Sequence, residues 1–160
     1  MCNYHPATIC LNGHVISGTK PNVYSHCSKC GAETISNCPN CNAPIHGQAI
    51  NKDGYVSYKL KKPDSCCYNC GKPYPWTERI IRASVELLSM DENLDEDTKE
   101  LLKTLVPDLL FETPMSQVAA TRFKINLSKA SEFVCNGLHQ LFWGVVNESL
   151  FRIIFPQWQQ

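Results

Sequence analysis

Hydrophobic residues in the second half of the chain recur with the period of an amphipathic α-helix. The pattern predicts a first helix that Thr77 caps and that runs to about Met90. Charged residues lie between the apolar positions, so we expect one face of this helix to pack against other elements. The apolar positions are Ile80, Ile81, Val85, Leu87 and Leu88.

Two further helical segments follow. NLDEDTKELLKTLV predicts a second helix, which Pro107 ends or kinks. Thr113-Pro114 is typical of a helix start and predicts a third helix. We favour a break at Asn136-Gly137, and the alternative is one helix that continues to about Phe155. Residues 133–155 are strongly apolar, which favours burial in a helical bundle, with self-association as the next interpretation.

The first half of the chain has short β-prone runs between turn residues. ATIC and HVIS predict two strands around a tight turn at Asn12-Gly13. APIHGQAI and YVSYKL predict a hairpin around Asp53-Gly54. The composition changes near residues 73–77, so we place a first domain at residues 1–75 and a helical domain at residues 76–160.

Cysteines are concentrated in the first domain, where nine of the ten precede residue 71. Three Cys-x-x-Cys pairs and one Cys-x-x-x-His pair supply eight ligands, which are enough for two complete tetrahedral zinc sites and leave no position open. We therefore predict two structural Zn²⁺ ions per chain. The predicted ligands are Cys10, His14, Cys27, Cys30, Cys38, Cys41, Cys67 and Cys70. The glycines after Cys30 and Cys70 suit the left-handed turn that such pairs adopt.

Three groupings of the ligand pairs are open. Sequential grouping joins the first pair with the second and the third with the fourth, and it is favoured because the predicted hairpin then lies between the two pairs of the second site. Crossed grouping joins the first pair with the third and the second with the fourth. A single short-range site would use the second and third pairs. Cys66 is an alternative ligand to Cys67, and we interpret it as a spare thiol. His5, His26 and His46 are interpreted as non-ligands.

The charge balance of the first domain bears on which partners it can bind. Residues 1–75 carry seven lysines against three acidic side chains, but two Zn²⁺ and seven thiolates add three negative charges. The first domain then keeps little net positive charge with which to attract nucleic acid. YVSYKLKKP still mixes Tyr55 and Tyr58 with Lys59, Lys61 and Lys62, so single-stranded nucleic acid is the alternative partner. The acidic stretch around residues 86–97 is interpreted as a solvated helix end and loop.

Other classes of function have less support in the sequence. The chain shows no secretion signal and no apolar run long enough for a membrane span, which predicts a reducing, cytoplasmic location. Thiol exchange and iron-based electron transfer are weaker alternatives to zinc. Residues with the spacing of a catalytic set were not found, so we expect a protein that is not an enzyme.

ICLNGHVIS, HCSKCGAETISNCPNC and CYNCGKPYPWT resemble an uncharacterised bacterial family with tandem N-terminal zinc ribbons and a helical C-terminal region. The cysteine turns alone resemble the wider zinc β-ribbon and rubredoxin-like group. The resemblance implies the same eight ligands and no known reaction. The sequence thus predicts an α+β protein, with tandem zinc β-ribbons followed by a small helical bundle. We expect an adaptor whose ribbons present a recognition surface and whose helices bind a protein partner or a second copy.

Overall fold

Short antiparallel sheets fill the first half of the chain and α-helices the second, which confirms the predicted α+β class. The structure is a computed structural model that describes residues 3–55 and 59–158. The chain forms two compact units, Met1–Arg79 and Ile80–Gln160.

Two small sheets build the first unit. Strand β2 (Thr8–Cys10) lies between β3 (Val15–Ser17) and β4 (Thr34–Ile35), and all pairs are antiparallel. The β2–β3 pair confirms the two strands predicted from ATIC and HVIS. The second sheet pairs β1 (Asn3–Pro6) with β5 (His46–Ile50).

The predicted hairpin is present at its turn, but its first strand has a different partner. The N–H of Gly54 donates to the carbonyl of Asn51 at 3.0 Å, which closes the turn. Strand β5 pairs with β1, and residues 56–58 of the predicted partner strand lie outside the described residues. Strand β5 is crowded at Gly47. A Cβ atom there would lie 2.2 Å from the Gly18 carbonyl oxygen, so the position requires glycine.

The core of the first unit is small. Its fully buried apolar side chains are Ala7, Ile9, Ile45, Tyr74 and Trp76, and the buried Cys38 and Cys67 complete the cluster. The Tyr74 and Trp76 rings stack at 4.6 Å, and the Trp76 indole N–H donates to the Asp64 carbonyl at 2.8 Å. A core of this size buries too little apolar surface to fix the fold without further cross-links.

The first two helices begin and end differently from the prediction. Helix α1 (Pro75–Ser89) begins at a proline, so Thr77 is not its cap, and the Thr77 hydroxyl donates to the Ser65 carbonyl instead. Helix α2 (Glu96–Leu110) is capped by Asp95, whose carboxylate accepts the Thr98 N–H at 2.8 Å. Pro107 does not end α2. It removes one hydrogen bond near the end of the helix, but its own carbonyl still accepts from the Phe111 N–H, so the helix continues to Leu110.

The third predicted helix is three helices, so both versions of that prediction were wrong. They are α3 (Ser116–Leu127), α4 (Glu132–Phe142) and α5 (Glu148–Ile154), followed by a 3₁₀ turn at Pro156–Trp158. Gly137 lies inside α4, where an added Cβ would come within 2.9 Å of Leu87 Cδ1. The glycine therefore serves close helix packing. The chain turns instead at Gly144, which has a φ of 70°.

The apolar C-terminal segment forms much of the helical core, as predicted for a bundle. Its buried members include Val134, Leu138, Phe142, Val146, Leu150, Phe151, Ile154 and Phe155. Phe133 and Trp143 are exposed. Among the described residues, none of the helices combines the length and apolar character needed to cross a membrane.

Asp91 departs from the prediction of a solvated acidic stretch, because it is only 2% exposed. Its carboxylate accepts the backbone N–H groups of Asn93, Leu94 and Ser131 and the Ser131 hydroxyl, at distances of 2.7 to 2.9 Å. The Ser131 hydroxyl also caps α4 by accepting the Val134 N–H at 3.4 Å. Asp91 thus joins the end of α1 to the start of α4.

Candidate metal centre

Three segments of the first unit fold into the same cysteine turn, at residues 26–33, 37–44 and 66–73. In each turn the first cysteine of the Cys-x-x-Cys pair is Cys27, Cys38 or Cys67, and its N–H donates to the carbonyl five residues later, at 2.8 to 2.9 Å. The N–H of the residue four positions later donates back to that cysteine's carbonyl at 2.8 Å. A short antiparallel bridge closes each turn between its first and last residues.

The fourth position after the first cysteine is left-handed in all three turns. Gly31 and Gly71 have φ of 72°, which confirms the conformation predicted for them. Asn42 occupies the same position in the middle turn with φ of 61°. The sequence reasoning did not single out Asn42, although asparagine is among the residues that best tolerate this conformation.

The remaining ligand pair lies between two strands. Cys10 ends β2 and His14 immediately precedes β3, with Gly13 between them at a φ of 89°. The His14 N–H donates to Cys10 Sγ at 3.3 Å, so the two side chains lie on the same side of the turn. Gly13 also allows close packing, since an added Cβ would lie 3.1 Å from Trp76 Cβ.

The structure brings the eight predicted residues together as two separate groups in the sequential order. Site one consists of Cys10, His14, Cys27 and Cys30, and site two of Cys38, Cys41, Cys67 and Cys70. Within each group the candidate ligand atoms all lie within 4.8 Å of one another. Among the described residues, the crossed grouping and the short-range grouping are not found.

The distances between ligand atoms fit a tetrahedral zinc ion. Sulfur atoms bound to zinc at about 2.3 Å lie about 3.8 Å apart, and a sulfur and a histidine nitrogen lie about 3.6 Å apart. In site two, Cys38 and Cys70 Sγ are 3.8 Å apart, and Cys41 and Cys67 Sγ are 3.6 Å apart. In site one, Cys10 and Cys30 Sγ are 3.8 Å apart.

His14 faces site one through its Nδ1 atom. This nitrogen lies 3.5 Å from Cys10 Sγ and 3.6 Å from Cys27 Sγ, which matches the expected edge of a mixed sulfur and nitrogen tetrahedron. These four residues could therefore hold Zn²⁺ through three sulfurs and Nδ1. The identity of the ion stays a prediction.

Burial and hydrogen bonding act in opposite directions on the sulfur atoms. Burial raises the pKa of Cys38 to about 11, so this thiolate depends on a bound cation for its stability. Hydrogen bonds from the Ala32 N–H and the Asn12 side chain lower the pKa of the exposed Cys30 to about 6. Metal binding supplies the positive charge that the buried thiolates lack.

The residues interpreted as non-ligands lie outside both groups. Cys66 is adjacent to Cys67 but is bridged to Pro73, and burial raises its pKa. His46 stacks between two tyrosine rings, 4.1 Å from the Tyr4 ring and 3.8 Å from the Tyr68 ring. His5 and His26 are not members of either group among the described residues.

A family model described as "Uncharacterized protein conserved in bacteria" (DUF2321) matches residues 3–154. The chain belongs to this family. The DUF2321 match includes both ligand groups and reaches the last residue of α5, so the predicted resemblance to an uncharacterised bacterial family is confirmed. Neither a curated protein nor a solved structure matches this DUF2321 chain.

Proposed function

We propose that this DUF2321 protein is a non-enzymatic, zinc-stabilised binding protein. The observation that carries the proposal is the completeness of both ligand groups. Each group supplies four donor atoms at tetrahedral spacing, so a bound Zn²⁺ has no coordination position left for water or substrate. Zinc sites that catalyse reactions keep such a position open, whereas closed sites stabilise a fold.

A cavity beside site one offers the strongest argument for an enzyme. It has a volume of about 570 Å³ and is lined by His14, Tyr24, His26, Cys27 and Lys29, among others. Two of these residues are ligands, and they face the metal position with the atoms that would bind it. An ion held by all four ligands of site one would have no coordination position open to the cavity, and this supports a structural ion there.

The small core of the first unit supports the same interpretation. Two of its buried residues, Cys38 and Cys67, are ligands of site two, so the metal position is continuous with the apolar core. Binding of a structural zinc ion supplies about 10–16 kcal/mol in comparable small domains. We infer that zinc holds the first unit in one shape and so fixes the surface that it presents.

A column of three stacked rings is the recognition surface that we assign to the first unit. Tyr4, His46 and Tyr68 lie nearly parallel, with interplanar angles of 11° and 7° between neighbours. Tyr4 is 40% exposed and Tyr68 is 53% exposed. Tyr68 lies between Cys67 and Cys70, so zinc at site two would fix its position. Exposed, rigid aromatic side chains are enriched at protein interfaces.

The helical unit has an exposed apolar stripe on α3 that supports association with a second copy or another protein. Val118 and Ile125 are 48% and 60% exposed, and they lie on the side of α3 opposite the buried Ala120 and Phe123. These two exposed apolar side chains are available for contact with a partner.

The double variant Val118→Glu with Ile125→Glu should abolish self-association of the full chain. Two buried carboxylates at an apolar interface would raise the dimer dissociation constant by at least about tenfold. Sedimentation velocity over a concentration series measures this change. Gln117→Glu, which adds a charge at another exposed position of α3, is the control and should leave association unchanged. A wild-type chain that stays monomeric at all concentrations would exclude this role of the stripe.

The closed coordination sphere can be tested directly by cobalt substitution. Co²⁺ in place of Zn²⁺ reports its geometry through its visible absorption, and a closed tetrahedral site excludes added ligands. We expect the spectrum of the Co²⁺-loaded full chain to stay the same when azide or cyanate is added. A spectral change that saturates with the added anion would reveal an open position and favour an enzyme.

The nucleic-acid alternative stays a prediction. Tyr55, Lys59, Lys61 and Lys62 are exposed, but Tyr58 in the middle of this segment lies outside the described residues. Binding to a single-stranded oligonucleotide that weakens as salt rises would favour this alternative over the protein adaptor.

A further inference from the structure

Site one has an asparagine whose amide faces one of the ligand sulfurs from outside the ligand set. In site one, Asn12 Nδ2 donates to Cys30 Sγ at 3.3 Å. The Asn12 side-chain oxygen in turn accepts a hydrogen bond from the Arg79 guanidinium. A cation, an amide and a thiolate thus form a chain of hydrogen bonds.

Asn12 lies within the first ligand pair of site one, and the sulfur that it contacts is the last cysteine of the second pair. Asn40 holds the equivalent position in site two, two residues after the first cysteine of that site. The Asn40 side-chain oxygen accepts from Lys72 Nζ at 2.9 Å.

The sulfur concerned is the outer one of site one. Cys30 is exposed, whereas Cys10 and Cys27 are buried. Solvent and electrophiles therefore reach site one most readily at the sulfur that Asn12 contacts. A hydrogen bond to a metal-bound thiolate withdraws charge from sulfur and lowers its reactivity toward protons and alkylating reagents. The cation on the far side of the amide strengthens the effect by polarising it.

We propose that Asn12 is a positioning residue, which holds and shields the outer thiolate of site one. Arg79 fixes the orientation of its amide. The proposal rests on the proposed zinc binding. It adds that packing protects the buried sulfurs of site one and that an amide protects the outer sulfur. Asn12 acts on site one only.

Alkylation of the zinc-loaded full chain by N-ethylmaleimide, followed by peptide mass spectrometry, gives a separate rate for each cysteine. We expect Asn12→Ala to raise the alkylation rate of Cys30 about tenfold and to leave Cys70 unchanged, since outer partners of metal ligands change affinity or activity about 10–100-fold. Asn40→Ala should leave the Cys30 rate unchanged. Arg79→Ala should raise the Cys30 rate by a smaller factor, and Arg79→Lys should restore part of the protection.

Asn69→Ala is the matched control. Asn69 occupies a cysteine turn like Asn40, but its contact to a ligand sulfur is made by its backbone N–H, which donates to Cys67 Sγ at 3.4 Å. The variant should therefore keep both rates. Equal acceleration at Cys30 and Cys70 in Asn12→Ala, or no acceleration at Cys30, would overturn the proposal. Wild-type protein without bound zinc would instead refute the proposed function, and this inference with it, before any variant is compared.

Discussion

We expect Cys38→Ser to lose the metal of site two and to unfold the first unit. Cys66→Ser should keep the metal of site two and the fold of the first unit. Cys38 is buried in the core of the first unit, and its Sγ lies 3.8 Å from Cys70 Sγ across the metal position. A serine hydroxyl is a poor zinc ligand, so the variant forfeits much of the about 10–16 kcal/mol that a structural site supplies. This loss is comparable to the whole stability of most domains, which is about 5–15 kcal/mol.

Two measurements on the full chain separate the outcomes. Elemental analysis gives the zinc content, and a two-dimensional amide NMR spectrum shows whether the signals of residues 3–55 stay dispersed. The matched control is informative because Cys66 is the neighbour of a ligand and belongs to neither group. A Cys38→Ser protein that keeps dispersed signals with one zinc ion fewer would show that the first unit folds without site two.

Asp91→Asn should destabilise the helical unit by about 4 kcal/mol at neutral pH. The carboxylate accepts four hydrogen bonds in a buried position, and two of them come from Ser131. An asparagine amide must turn its own N–H₂ group toward one pair of these donors, which leaves buried donors without an acceptor. Denaturant unfolding followed by far-UV circular dichroism measures the change.

The pH dependence of this effect follows from the pKa of Asp91. Burial alone would raise that pKa, but the hydrogen bonds from Ser131, Asn93 and Leu94 outweigh burial and hold it below the ordinary value of 3.8. The contribution to stability is therefore fully present above the ordinary value, and it is lost as the pH falls through the lowered value. The wild type should lose stability in this range, and Asp91→Asn should lose less.

Glu92→Ala is the control for Asp91→Asn, because Glu92 is the exposed neighbour in the same loop. It should change the free energy of unfolding by less than about 0.5 kcal/mol. Equal effects of the two substitutions would show that the buried hydrogen bonds of Asp91 do not stabilise the unit.

The metal centre could be predicted from sequence largely because its geometry is local. A Cys-x-x-Cys turn fixes two ligands within a few residues, and Gly31 and Gly71 mark the left-handed position directly. The favoured grouping followed from the chain between the pairs. Asn12 could not be recognised, since its contact to Cys30 joins positions 18 residues apart in the chain.

The helices show the limit of local reasoning more clearly. Asn136-Gly137 is the more typical turn in the sequence, yet Gly137 lies inside α4 and Gly144 turns the chain after it. The difference depends on Leu87, which is distant in sequence and leaves no room for a Cβ at Gly137. The sequence likewise predicts a solvated Asp91, because its partner Ser131 is 40 positions away.

The zinc content of the native full chain, purified without added metal or chelator, tests the central claim most directly. Elemental analysis with protein concentration from amino-acid analysis gives the stoichiometry. Two closed ligand groups predict two zinc ions per chain. A chain with one zinc ion, with iron in place of zinc, or with no metal would contradict the account of two structural zinc sites.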